Sequence, residues 1–318
     1  NFQLPPHMHL KSGCYYYVTS TTPRRWIRLD RDLARARVIW AQLESCGNTN
    51  TFSDMLDNWI ASDAYAALAP LTKSTYSPII KQLREFFKGA SPEDIRPVHV
   101  AQWLDNHTSK SQANTGKAII SRVFDLAIRR GHAESNPARE IKRHTIKARE
   151  RYLTDREFTQ IREHANDVVK IAMDLAYLTG ARIGDILKIK LADCQEDGLH
   201  ITQQKTKKRQ VFRLTAELAS VIDTAKKIPR SVRGLHLLST RRGAPYLYGT
   251  FNEYWIAAKT AAGVQDAHFH DIRAKAATDA KFDGQDHQAL LGHTSKAMSD
   301  RYVKIHEADQ VEPLRKIL

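Results

Sequence analysis

The chain has 318 residues, enough for two or three domains that each bury a core of their own. Its net charge of +14 and pI near 9.7 point to a polyanionic partner, and no basic amphipathic segment stands out to make that partner a membrane surface. The cysteines, Cys14, Cys46 and Cys194, exclude a disulfide framework and a cysteine-based zinc site and fit a reducing cytoplasm, and no long apolar run or signal-peptide pattern predicts membrane insertion or export.

Residues 1–47 read as a small unit of their own, opening on Asn1 rather than methionine as a fragment or a processed form would. Leu4-Pro5-Pro6 precedes a strand-like run over 14–19 that holds Tyr15, Tyr16 and Tyr17. A turn at Thr22-Pro23-Arg24-Arg25 leads to a second strand over 26–29. From about Asp30, Leu33, Ala36, Trp40 and Leu43 recur at helical spacing. A unit this small buries little by itself, so it reads as an accessory module. Gly47, Asn48 and Asn50 then mark a linker.

A helical domain is expected over 51–134. Phe52, Met55, Leu56, Trp59 and Ile60 form one apolar stripe, and Tyr76, Ile79, Ile80, Leu83, Phe86 and Phe87 another. Ser91-Pro92-Glu93 predicts the cap of a short helix carrying Val100 and Trp103. A fourth helix, over about 112–130, turns Ile119, Ile120, Val123, Leu126 and Ala127 inward. Lys117, Arg122, Arg129 and Arg130 are then available to phosphates or, equally, form a solvated face. Residues 135–152 read as a basic interdomain linker. Pro137 breaks the preceding helix, and Lys142, Arg143, Lys147, Arg149 and Arg151 suit the segment to track a phosphate backbone.

The last domain is expected over 153–318. Thr154 and Glu157 form a capping box, and a mostly buried helix over 168–179 ends at Gly180, which puts Arg182 at the turn into the next helix. After Gly198 the period changes: Leu199, Ile201 and Gln203 alternate with His200, Thr202 and Gln204, and a second strand covers 210–214. This is a hairpin with Lys205 near its tip and Lys207 as the alternative. Helices follow over about 218–227, 250–262, 271–282 and 287–291, and the tail with Val311, Leu314, Ile317 and Leu318 packs on its own domain or on a neighbouring subunit.

The stretch from Leu290 to Tyr302 ends one helix in a Gly292-His293 turn and enters a short helix through Thr294 or Ser295, with Met298 and Tyr302 on one side. Alone, an aromatic there is more often packing than a nucleophile. Its company changes the reading: His268-Phe269-His270-Asp271-Ile272-Arg273 upstream, and Thr179-Gly180-Ala181-Arg182-Ile183-Gly184-Asp185 before that. Arginine forks hold the non-bridging oxygens of a pentavalent phosphate transition state without losing charge. On these residues the chain resembles the tyrosine recombinases of the phage-integrase family. Arg182 matches the first arginine, Lys205 the hairpin lysine, and His270 and Arg273 the H-x-x-R pair. His293 matches the second histidine and Tyr302, nine positions on, the tyrosine; Asp185 stands at a supporting position where the family more often has glutamate.

The resemblance implies a multidomain, mainly α fold with small β elements: a β-rich arm-type DNA-binding module, a helical, SAM-like core-binding domain and a mixed α+β catalytic domain. Ionising a free phenol at neutral pH costs roughly 4 kcal/mol. Arg182 and Arg273 would offset this, with His270 taking the proton or hydrogen-bonding the developing charge, His293 donating to a non-bridging oxygen and Lys205 protonating the leaving 5′-oxygen. The product implied is a 3′-phosphotyrosyl intermediate, resealed without ATP, metal or cofactor. The implied partner is double-stranded DNA at attachment-type sites, bound by a homotetramer in a bacterial host cell beside the nucleoid, with room for a directionality factor and a host DNA-bending protein. The element served is a phage, a prophage or another mobile element. A metal-dependent nuclease built on His268, His270, Asp271, His287 and His293 lacks the oxygen-rich two-metal constellation and the H-E-x-x-H spacing. A type IB topoisomerase shares the residue roles but not the first two domains. A non-cutting architectural DNA-binding relative would explain the charge but not the set from Arg182 to Tyr302.

Overall fold

The computed structural model describes residues 4–18, 24, 26–45, 51–147, 149–232 and 234–304. It divides into two compact units, Asn1–Ala148 and Arg149–Leu318. Most of the turn expected at 22–25, the linker at 46–50 and the tail at 305–318 lie outside the described residues.

The first unit opens with an antiparallel sheet in the order β1 (Met8–Lys11), β2 (Cys14–Val18), β3 (Trp26–Arg28). Sequence reading missed β1, which is four residues long and largely exposed. The signal for it was Ser12-Gly13. Both residues have positive φ, the geometry whose twist matches a two-residue hairpin closing between Lys11 and Cys14. Helix α1 (Leu33–Ser45) follows, with the Asp32 carboxylate accepting the Arg35 N–H at 2.9 Å. Ala36 is fully buried against Met8, Tyr17 and Leu29, so sheet and helix share one small core.

A second core in this unit is built by α2 (Phe52–Ile60), the one-turn α3 (Asp63–Ala66), α4 (Pro70–Phe86), α5 (Pro97–Asp105) and α6 (Lys110–Arg129). Phe52, Leu56, Leu83, Val100, Ile119, Ile120 and Val123 are wholly buried there. Ser91-Pro92-Glu93 does not cap α5. It forms a turn, with the Asp94 N–H on Ser91 O at 3.1 Å, and Pro97 instead opens the helix, where a missing N–H has no partner to lose. The start of the expected linker is also packed on this core: Ala138 is fully buried, and Asn136 Nδ2 donates to Ser121 O at 3.0 Å and Asp125 Oδ1 at 2.8 Å.

The second unit begins with α7 (Asp155–His164), entered through the Thr154–Glu157 capping box, and α8 (Asp167–Thr179), whose cap Gly180 takes the left-handed φ of 60°. Then come α9 (Ile183–Ile186) and an antiparallel sheet of β4 (Cys194–Gln195), β5 (Gly198–Thr202) and β6 (Arg209–Phe212). The chain closes with α10 (Ala216–Lys227), α11 (Tyr248–Ala261), α12 (Phe269–Phe282), α13 (His287–Leu291) and α14 (Lys296–Asp300). Helix α12 packs between α8 and α13. On it Lys275, 2% exposed, donates to Tyr152 Oη and Asp279 Oδ2, both at 2.9 Å, and meets Asp155. Burial pulls the Lys275 pKa down, but these three partners outweigh it and the net shift is upward. Among the described residues no helix is long and apolar enough to cross a membrane. The fold is mainly helical with two small sheets, as expected.

Candidate active site

The left-handed turn at Gly180 points its carbonyl at α12 and places Arg182 at the N-cap of α9. Arg182 is half-buried and its Nη1 donates to Gln203 Oε1 at 2.9 Å. Asp185, 6% exposed, accepts the Gln204 backbone N–H at 2.9 Å and so ties the hairpin to α9. Lys205 stands exposed at the hairpin tip, with no hydrogen-bond or ion-pair partner among the described residues.

The first turn of α12 presents His270 and Arg273. Arg273 is 2% exposed. Its guanidinium donates to Gly180 O, to Leu291 O at 2.8 Å and to His293 Nε2 at 3.1 Å, while its buried Nε–H has no partner among the described residues. Helix α13 ends at Gly292, φ 65°, which turns His293 inward; His293 Nδ1 lies 3.0 Å from Ser299 Oγ on α14. Because Arg273 donates to Nε2, the His293 proton sits on Nδ1 and goes to Ser299. This differs from the donor role expected for His293: as placed, it orients Arg273. Tyr302 follows α14 by one turn, its N–H on Ser299 O at 2.9 Å. Its hydroxyl is 3.2 Å from His270 Nε2, and the Arg273 guanidinium lies 5.3 Å from its ring centroid. Met298 is exposed, so Ser299 rather than Met298 faces inward beside Tyr302.

Burial, then Arg273 and Arg182, pushes His293 down to about 4 and His270 down from its ordinary value. Both imidazoles are therefore neutral at neutral pH. Burial and Arg182 lower Arg273 to about 10, which leaves it charged. Two guanidiniums that repel one another in a partly buried cleft make a site for a multiply charged anion. A cavity of 480 Å³ opens here, lined by Arg182, Arg273, His270, Tyr248, Trp255 and Lys259.

The histidines of the metal-site alternative are dispersed. His268 caps α12, His270 faces Tyr302, His287 meets Asp300 at 3.0 Å and His293 holds Arg273. Among the expected phosphate contacts, Arg122, Arg129, Arg130, Lys142, Arg143 and Lys147 are exposed, and Arg122 also donates to Tyr76 Oη at 2.6 Å. Lys117 differs: it lies on the same α6 stripe as Ala113, Ile120 and Phe124 and is 9% exposed, and burial and then Arg143 lower its pKa. Arg149 also differs from a free cation, since it pairs with the Asp271 carboxylate at 3.1 Å. Sequence reading gave no role to Gln203, Gln210 or Ser299. The alternation that turned Gln203 to the face of Leu199 and Ile201 was the one signal available for it.

Residues 151–309 match the model of the phage integrase family. The integrase of Enterobacteria phage 434 is 26% identical over 94% of this chain and 93% of its own length, and that of Escherichia phage lambda is similar to the same extent. The structure of a lambda integrase tetramer bound to a Holliday junction superposes with a TM-score of 0.73 at 25% identity, covering 98% of this chain and 99% of that one. With the family model spanning half the chain and integrases aligning along nearly all of it, the chain belongs to the phage integrase family and is a tyrosine-type site-specific recombinase.

Proposed function

We propose that the chain cleaves and rejoins duplex DNA with Tyr302 as the nucleophile. The observation that carries this reading is the 3.2 Å contact of Tyr302 Oη with a neutral His270, beside the buried Arg273 and its unpartnered Nε–H. In the step proposed, Tyr302 Oη attacks the scissile phosphorus and passes its proton to His270 Nε2. Arg182 and Arg273 hold the non-bridging oxygens. The bond from phosphorus to the 5′-oxygen breaks, and Lys205, on an exposed hairpin tip, gives that oxygen a proton. A 3′-phosphotyrosyl bond and a free 5′-hydroxyl remain, so attack by a 5′-hydroxyl reseals the strand without an energy source.

The substrate is double-stranded DNA at attachment-type sites, approached by the exposed cations of α6 and of residues 142–147. Two duplexes with four cleavage points call for a tetramer assembled on DNA, and a directionality factor and a host bending protein are its proposed helpers. The test is covalent trapping on nicked duplexes drawn from the DNA flanking the gene, with EDTA present. The protein is expected to become joined to a 3′-phosphate, and Tyr302→Phe to form no adduct while binding the same DNA with nearly unchanged affinity. An adduct that persists in Tyr302→Phe would remove Tyr302 as nucleophile; binding lost along with cleavage would make it structural.

A further inference from the structure

We infer that Gln203 is a positioning residue for strand cleavage, its carboxamide joining Arg182, Arg273 and the β5–β6 hairpin into one phosphate-binding unit. The side chain is 2% exposed and uses every hydrogen-bonding position it has. Its Oε1 accepts from Arg182 Nη1 at 2.9 Å and from Thr206 Oγ1 at 2.8 Å, and its Nε2 donates to Gln210 Oε1 at 2.7 Å and to Leu291 O at 2.9 Å. The Leu291 carbonyl also accepts from Arg273 Nη2 at 2.8 Å. One amide and one carbonyl therefore link the two guanidiniums.

Gln210 extends the arrangement, its Nε2 donating to Ala289 O at 2.8 Å and Leu290 O at 3.2 Å. The two carboxamides thus supply donors to the last three carbonyls of α13, of which Ala289 O also accepts the Gly292 N–H at 3.1 Å. They close over Gly292, where an added Cβ would stand 2.5 Å from Gln203 Nε2 and from Gln210 Oε1. The hairpin that carries Gln203 and Gln210 also carries Lys205 in the connection between its strands, so the leaving-group lysine and the two phosphate-holding arginines share a common mount.

The chemistry asks for orientation as much as charge. An arginine held along one edge presents the other edge in a fixed plane, whereas a loose guanidinium keeps its charge and loses its aim. Misplacement by about 1 Å is enough to slow a reaction on the order of 100-fold. Gln203 is placed to act on the rate through Arg182 and the Leu291 carbonyl, without touching the phosphate.

This inference rests on the strand-cleavage reading, and the two fail separately. On nicked duplex at saturating protein and well below the melting temperature of the variant, Gln203→Met is expected to form the covalent adduct about 10- to 100-fold more slowly, with DNA affinity within about twofold, although the partners it leaves unpaired lower the melting temperature. Gln210→Met, which removes a neighbour of the amide and leaves Arg182 its acceptor, is expected to show a smaller loss of the same kind, and it carries the test if Gln203→Met does not fold. In Arg182→Lys, which keeps a cation but no fork, adding Gln203→Met is expected to cost no more than about a further twofold. Unchanged rates in both methionine variants, losses that track affinity, or a full multiplicative loss in the Arg182→Lys background would each overturn the inference. An unsubstituted protein that forms no adduct overturns the cleavage reading instead.

Discussion

His270 and His293 stand in ring contact with the same tyrosine, yet their partners give them different work. His270 has a free lone pair at the phenol, while both nitrogens of His293 are engaged, one by Arg273 and one by Ser299. The engaged ring has a measurable cost in acid. Its folded pKa of about 4 lies below the ordinary value of about 6.5, so its neutral form contributes stability that is complete above about pH 6.5 and is lost as the pH falls towards 4. Melting temperatures taken between pH 7 and 4 should fall more steeply for the parent than for His293→Gln; superimposable profiles would remove His293 as the source. At this scale the sequence was legible where chemistry is local. Arg182, His270, Arg273, His293 and Tyr302 could be named because each sits in a short motif, whereas Gln203 and Ser299 matter through partners far along the chain. Lys117 misled because its charge hides a position four residues from Ala113, on the helix's inner stripe.

Elements were readable from their ends. Thr154 with Glu157, and Gly180, each marked a boundary that the structure keeps, because a cap is a local solution to unpaired backbone groups. Ser91-Pro92-Glu93 was not such a boundary: it closes a turn on its own carbonyl, and α5 starts five residues after Pro92, at Pro97, with Val100, Trp103 and Leu104 in the core. The same helix explains Gly116. An added Cβ there would enter the Trp103 indole, whose N–H is held by Ala113 O at 3.2 Å, so the ring cannot simply swing aside. Gly116→Ala should therefore destabilise the helical core by about 1–3 kcal/mol, seen as a lower denaturant midpoint. An unchanged midpoint would mean that α5 and α6 separate without loss.

For the whole molecule, the net charge of +14 was the first clue to the partner, but the structure shows that cations counted together do different things. Arg149 and Arg151 are paired with carboxylates of their own unit, and Lys275 with those around α12, whereas Arg129 and Arg130 stand exposed at the end of α6. Each phosphate neutralised adds about 0.9 to the dependence of log affinity on log salt. Replacing both Arg129 and Arg130 by Gln should lower that slope by about 2, and Arg149→Gln should leave it nearly unchanged. Equal reductions from the two changes would show that ion pairing in the free protein does not decide which cations meet DNA. The N-terminal sheet carries one more consequence. Trp26 lies half-exposed on β3, with Lys11 over its ring, while Trp59, Trp103 and Trp255 are almost wholly buried. Quenching by a small neutral solute such as acrylamide will therefore sample the N-terminal module, through Trp26 and the half-buried Trp40 of α1, in preference to the three buried indoles, and the chain carries an optical reporter for a small core separate from those of the helical and catalytic parts.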